Sequence, residues 1–167
     1  NLAEEGFKEV ILSGIHIASY GQDLSEKYDL LDLLEEIEKI DGIERVRIGS
    51  IEPMFFKGPR MERILKLKKL CPHFHLSLQS GSERTLRRMN RRYTPKEYSD
   101  VVKTLRDNIE NISITTDVIV GFPGETEEEF KETYDFLEEL KLSKVHTFKY
   151  SKREGTPAFS MDNQVPS

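Results

Sequence analysis

Short β-rich runs alternate with stretches of helical period along the whole chain. Residues 8–13 (KEVILS) read as a strand and residues 14–28 as a loop. Residues 29–40 form a helix, with Leu30, Leu31, Leu33, Leu34, Ile37 and Ile40 on or near one face and Gly42 as its stop signal. A second strand at 44–49 and a loop at 51–58 lead to a helix over 59–70, with Pro59 near its start. A third strand at 73–78 is followed by a short helix over 83–90. Thr94-Pro95-Lys96-Glu97 is a capping box for a helix to about Asn108, carried by Tyr98, Val101, Val102 and Leu105. A fourth strand at 112–120 precedes a second capping box, Thr126 to Glu129, whose helix is expected to use Phe130, Tyr134, Leu137 and Leu140. Residues 144–150 read as a fifth strand, and the tail from Ser151 shows no period.

A helix between each pair of strands is the signature of repeated βαβ units and a parallel sheet. Right-handed crossovers leave a doubly wound sheet or part of a (β/α) barrel. No domain boundary, low-complexity segment or further repeat interrupts the pattern. The 167 residues suit one domain, and 37% hydrophobic content is low but sufficient for a core. No apolar run approaches a membrane span. The first residue is Asn rather than Met, so an excised piece of a longer protein is expected. Net charge is −5, and any nucleic-acid role must rest on a local patch. The single cysteine, Cys71, excludes an internal disulfide and an iron–sulfur cluster ligated wholly from this segment. A reducing cytoplasm is the expected location.

In parallel α/β folds the ligand site lies at the C-terminal strand ends. Every strand here ends in small, polar or glycine-containing sequence, which fits a shared ligand rim or ordinary loop chemistry. Gln79-Ser80-Gly81-Ser82 suits a carboxylate or ribose, or else a well-capped turn. Residues 121–125 (GFPGE) form a rigid turn whose glycines admit a flat ligand, and they match neither a P-loop nor a dinucleotide fingerprint. His73 and His75 share a strand face and suit a hydrogen-bonded pair better than a metal site, while His16 is the stronger site candidate. Cys71 reads as a buried small side chain. Arg84, Arg87, Arg88, Arg91 and Arg92 form either a solvated face or contacts to phosphate or a ligand carboxylate. Glu125, Glu127, Glu128 and Glu129 read as a solvated helix start.

Four strings carry a more specific signal: residues 75–82 (HLSLQSGS), 86–94 (LRRMNRRYT), 116–126 (TDVIVGFPGET) and 150–157 (YSKREGTP). In this order and spacing the chain resembles the radical SAM methylthiotransferases, which transfer a methylthio group to a tRNA adenosine or a ribosomal protein side chain. Residues 14–21 (GIHIASYG) and 143–148 (SKVHTF) are most similar to the branch acting on threonylcarbamoyladenosine beside the anticodon. The isopentenyladenosine and ribosomal-protein branches are the alternatives. The family's Cys-x3-Cys-x2-Cys motif is absent from this chain.

The resemblance implies an α/β fold: a partial TIM-type (β/α) barrel of the radical SAM kind, represented by strands two to six of six, all parallel. It implies a barrel over 1–158 and a linker over 159–167 towards a C-terminal RNA-binding domain. The implied cofactors are S-adenosylmethionine and [4Fe–4S] clusters whose ligands lie outside this chain, so the segment alone is expected to be inactive. No catalytic or metal-ligating residue is implied within it. Gly14, Ile15 and His16 stand where such enzymes hold the methionine amino group, with Ser50 and Glu52 at the second rim position. Gln79, Ser80 and Gly81 fall at the methionyl and ribose position, Val118 to Gly121 supply backbone to the adenine, and Phe148 to Ser151, Tyr150 among them, close the pocket with Arg153. Arg92 is the implied partner of the cofactor carboxylate. The implied partners are a tRNA anticodon stem-loop and an electron donor, with no membrane. The rival readings are a different radical SAM chemistry, a non-catalytic nucleotide- or RNA-binding module, and an ordinary TIM-barrel phosphate enzyme, for which no convincing phosphate loop is found.

Overall fold

The computed structural model describes residues 2–25 and 28–165. Residues 26 and 27 of the first loop, and residues 166 and 167 of the expected linker, lie outside the described residues. In chain order the elements are β1 (Glu9–Leu12), α1 (Leu30–Glu38), β2 (Arg45–Ile48), α2 (Pro59–Ile64), β3 (His73–His75), α3 (Glu83–Arg88), α4 (Pro95–Asn108), β4 (Ser113–Val120), α5 (Glu127–Leu140) and β5 (Lys144–Lys149). Single 3-10 turns lie at Ile17–Ser19, Pro53–Phe56 and Pro157–Ser160.

Every strand pairing is parallel. β1 pairs with β2 from Glu9↔Arg45 to Leu12↔Ile48. β3 pairs with β4 from His73↔Ser113, and β4 with β5 from Thr115↔Lys144 to Val120↔Lys149. Between β2 and β3 the ladder thins to the bridges Val46↔Leu70 and Ile51↔Leu76. They are held by Val46 N–H donating to Lys69 O (2.8 Å) and Ile51 N–H to His75 O (3.0 Å). The strands therefore follow one another in sequence order, each joined through a helical crossover. This is the partial (β/α) barrel that the resemblance implies, one of the two architectures the pattern left open.

Strand alternation sorts the side chains into two faces. Val46, Ile48, Phe74, Leu76, Ile114 and Val118 face the helices. They pack there against Leu30, Leu31 and Leu34 of α1 and Tyr98, Val102 and Leu105 of α4. Each fully buried Leu or Ile contributes about 1.5–3 kcal/mol against exposure. The opposite, concave face carries Glu9, Arg45, Arg47, His73, His75, Thr115 and Asp117. Glu9 bridges Arg45 and Arg47 at 2.7 and 2.9 Å, and the two guanidinium groups hold its carboxyl below the usual range.

The two expected capping boxes form at Thr94/Glu97 and Thr126/Glu129, and a third forms at Asp29/Asp32. Two expectations are corrected. The helix expected over 59–70 ends at Ile64, because the following chain must extend to reach β2. The amides of Lys68 and Lys69 are instead taken up by the Glu38 carboxylate at 3.0 Å. On α5, Phe130 and Tyr134 are exposed, and Glu129, Thr133 and Leu140 form the buried face. The helix is turned this way because Thr133 Oγ1 accepts from Gly81 N–H at 3.0 Å and meets Ser80 Oγ at 3.0 Å. Thr133 also lies so close that a Cβ on Gly81 would stand 2.8 Å from its Cα.

Candidate functional site

The loops after the strands gather at the C-terminal end of the sheet. After the β3 strand the chain stays paired, with Gln79 N–H donating to Asp117 O (2.9 Å) and Ile119 N–H to Gln79 O (2.9 Å). Gln79 adopts φ 70°, a left-handed conformation that costs a non-glycine residue about 1–2 kcal/mol. Backbone strain of this kind concentrates at ligand sites. The Gln79 side chain lines a cavity of about 590 Å³ with Asp117, Ile119, Phe148, Tyr150 and Arg153. That volume lies within the usual range for a small-molecule site. Ile119 and Phe148 are register partners and form its apolar floor. Tyr150 stacks edge-on with Phe122 at 5.3 Å between ring centres, and its hydroxyl is buried with no hydrogen-bonding partner among the described residues.

A second hollow of about 310 Å³ is lined by His16, Glu52, Met89, Asn90, Arg91 and Arg92. Arg91 reaches Glu52 at 3.6 Å, and Arg92 is exposed with no ion-pair partner among the described residues. Gly14, Ile15 and His16 edge a third groove beside β1, where Ile15 is fully exposed.

The expected site residues thus fall into groups. Gln79, Phe148, Tyr150 and Arg153 share the main cavity, while His16, Glu52 and Arg92 share the second hollow. Ser50 is exposed and lines neither. Val118 is buried with its side chain towards the helices. Gly121 has φ 74°, and the Val165 side chain lies 3.8 Å from where its Cβ would be. The described part of the tail folds over this turn, with Gly124 N–H donating to Asn163 O at 2.8 Å. Ser80 and Gly81 point away from the rim: Ser80 is fully buried, and its hydroxyl and the Gly81 amide both engage Thr133. Their signal in the sequence comes from helix docking.

The arginine cluster is mostly spent on ion pairs. Arg88 and Arg84 both reach Glu129, Arg84 also reaches Glu132, and Arg87 reaches Glu83. Glu129, expected to be solvated, is only 2% exposed, and Arg88 holds its carboxyl below the usual range. Burial pushes the Glu125 carboxyl up, although Gly121 N–H donates to it. Asp117, absent from the expected site, belongs to the cavity, as does Ile119, whose backbone was expected at the adenine; period-2 alternation from buried Val118 puts both side chains on that face. Cys71 is buried, as expected, and His75 Nδ1 hydrogen-bonds Thr115 Oγ1 at 2.9 Å.

The family model for the Radical SAM superfamily matches residues 1–137. The chain is 48% identical over 165 residues to the tRNA-2-methylthio-N(6)-dimethylallyladenosine synthase of Alkaliphilus oremlandii, covering 99% of this chain and 35% of the relative. It is 44% identical over 165 residues to the threonylcarbamoyladenosine tRNA methylthiotransferase MtaB of Bacillus subtilis, covering 98% of this chain and 36% of that protein. The chain thus spans about a third of the length of the curated relatives it matches. Among solved structures, the radical S-adenosylmethionine methyltransferase TsrM of Kitasatospora setae, solved with cobalamin and a [4Fe–4S] cluster bound, superposes with a TM-score of 0.73. That match has 16% identity over 95% of this chain and 31% of TsrM, so the likeness is one of fold.

Proposed function

The chain belongs to the radical SAM superfamily, and on that premise we propose that it is the cofactor-cradling part of a tRNA methylthiotransferase. The observation that carries this reading is the cavity of about 590 Å³ at the C-terminal ends of β3, β4 and β5. Strained Gln79, acidic Asp117, the Ile119–Phe148 floor and the unpartnered Tyr150 hydroxyl line it. Polar groups beside a flat apolar floor suit a nucleoside that carries a positive charge. These residues fit S-adenosylmethionine, which when bound supplies a cleavable sulfonium bond. Gln79 and Asp117 would bind the sugar or cationic end, Ile119 and Phe148 the base, and Arg153 would close the wall. The hollow with Glu52 and Arg92 carries the charge pattern for an amino acid's ammonium and carboxylate groups.

An iron–sulfur cluster does not fit the residues present. The chain has one cysteine, it is buried, and no group of three metal-ligating side chains occurs among the described residues. No step of the reaction is assigned to a cluster within this chain. By itself the chain would therefore carry no methylthiotransferase activity, and the cluster ligands and electron donor would be supplied from elsewhere.

The substrate is a hypermodified adenosine of a tRNA anticodon stem-loop in this reading. Threonylcarbamoyladenosine is preferred on the strings at 14–21 and 143–148, whereas a dimethylallyladenosine substrate is favoured by the 48% identical relative. Most of the arginines are already ion-paired, so this part adds little tRNA affinity of its own, and that little is salt-dependent. The test is nucleoside mass spectrometry of tRNA from cells lacking the gene. Loss of methylthio-threonylcarbamoyladenosine, restored by the wild-type gene and not by Gln79→Ala, is expected. Loss of the dimethylallyl product instead would move the substrate, and loss of neither would overturn the function.

A further inference from the structure

The concave face holds a cluster of titratable side chains behind the main cavity. Asp117 lines that cavity, and its two oxygens face two imidazoles. His75 Nε2 stands 3.3 Å from Oδ2, and His146 Nδ1 stands 3.5 Å from Oδ1. The His75 and His146 rings lie 5.9 Å apart, centre to centre. Three different strands thus converge on one carboxylate. His75 is anchored from behind, its Nδ1 on Thr115 Oγ1 at 2.9 Å, and the same hydroxyl lies 3.5 Å from His73 Nε2. Its Nε2 is buried and has no well-aligned hydrogen bond, so Asp117 is its nearest acceptor. The side chains of His75, Asp117 and His146 are 14%, 28% and 40% exposed, so the cluster is shielded on the β3 side and open towards β5.

We propose that His75 and His146 are positioning residues that hold Asp117 as the anionic acceptor of the cofactor cavity and set its effective charge. The inference rests on the cavity being the S-adenosylmethionine site. With both imidazoles neutral, Asp117 presents a full negative charge to a cationic nucleoside. With either protonated, an adjacent positive charge offsets it, and the cavity's attraction for a cation falls. The other charged groups facing the cluster are basic side chains or already paired. Arg47 lies on the β2 side and, with Glu9 and Arg45, forms its own ion-pair group. His73 is held below its usual pKa, first by burial and then by Arg47. From β5, Lys149 joins the cavity wall, with Arg153 beyond it.

The test is equilibrium dialysis of radiolabelled S-adenosylmethionine against the whole protein at about pH 8 and about pH 6, which bracket the ordinary imidazole range. The wild type is compared with His75→Gln/His146→Gln, with His146→Gln alone on the exposed strand, and with Asp117→Asn. The ligand's own amino group titrates in the same window, but it does so equally for every variant. The wild type is expected to lose about fivefold more affinity than the double variant on acidification. His146→Gln should fall between them, and Asp117→Asn should bind weakly at both pH values without the excess. Equal ratios in the wild type and His146→Gln, with the excess retained in Asp117→Asn, would overturn the positioning role and leave the cavity assignment standing. Absence of binding by the wild type at both pH values would overturn the cavity assignment together with the inference.

Discussion

Replacing Glu129 by glutamine isolates one charge at the joint between α3 and α5. The carboxylate is 2% exposed, caps its own helix through Thr126 N–H at 3.1 Å and accepts from Arg88 Nη1 at 3.0 Å. Arg84 Nε lies 3.3 Å away. Glutamine keeps the shape and one carbonyl acceptor, so the cap survives, while the ion pair and the acceptor facing Arg88 Nη1 and Arg84 Nε are lost. Removing one partner of a fully buried pair costs about 3–5 kcal/mol. Here the Arg88 and Arg84 side chains are 31% and 52% exposed and recover part of their hydration, which lowers the expected loss to about 2–3 kcal/mol. For a chain of this size that is a Tm lower by about 5–10 °C. Differential scanning fluorimetry and urea midpoints measure it. A double-mutant cycle with Arg88→Met should return a coupling of at least about 1.5 kcal/mol. A Tm change under about 2 °C, or full additivity with Arg88→Met, would refute the claim that this pair fastens the two helices.

Two further outcomes follow from the helix contacts. Glu129, Asp32 and Glu35 have carboxyls held below the usual range by Arg88 or Arg63, so their contribution is complete above the unfolded value and disappears as pH falls through the lower folded value. Thermal scans should therefore be flat down to about pH 5 and fall below it, with Glu125, raised by burial, blunting the onset; a protein equally stable at about pH 3 and pH 7 would contradict this. Gly81→Ala would place a Cβ 2.8 Å from Thr133 Cα and 3.0 Å from Phe136 Cβ, and overpacking of this kind should cost about 1–3 kcal/mol in a urea titration, whereas an unchanged midpoint would mean that α5 is free to shift.

The order of strands and helices was legible because each strand is a short apolar run and each long helix opens on a recognisable cap. Thr94/Glu97 and Thr126/Glu129 act at the backbone within one turn, so local sequence suffices to place them. The end of the α2 helix was not legible, since nothing in residues 65–70 says that Val46 needs their backbone. The buried face of α5 was misread for a related reason. Apolar Phe130 and Tyr134 compete with polar Glu129 and Thr133 for the interior, and the polar pair prevails because Arg88, Ser80 and Gly81 supply partners from 41 to 53 positions away in the chain. A helix can bury its polar face when each group is satisfied there.

The same distinction divides the candidate site. Residues after the strands were found by position, and position alone cannot tell a side chain that faces a ligand from one that faces a helix. Ser80 and Gln79 are neighbours with identical loop signals, yet one is fully buried on Thr133 and the other lines the cavity. Alternation carried on from buried Leu76 and Leu78 separates them, putting Ser80 on the helix side and Gln79 on the concave side. Asp117 was overlooked for the opposite reason. It lies inside a strand, where a lone polar residue reads as the solvent face of a sheet. In a curved sheet of parallel strands that face is the concave one, and cross-strand register brings His146 beside Asp117. The polar positions within barrel strands are therefore site candidates on the same footing as the loops, and in this chain they supply the cavity's only carboxylate among the described lining residues.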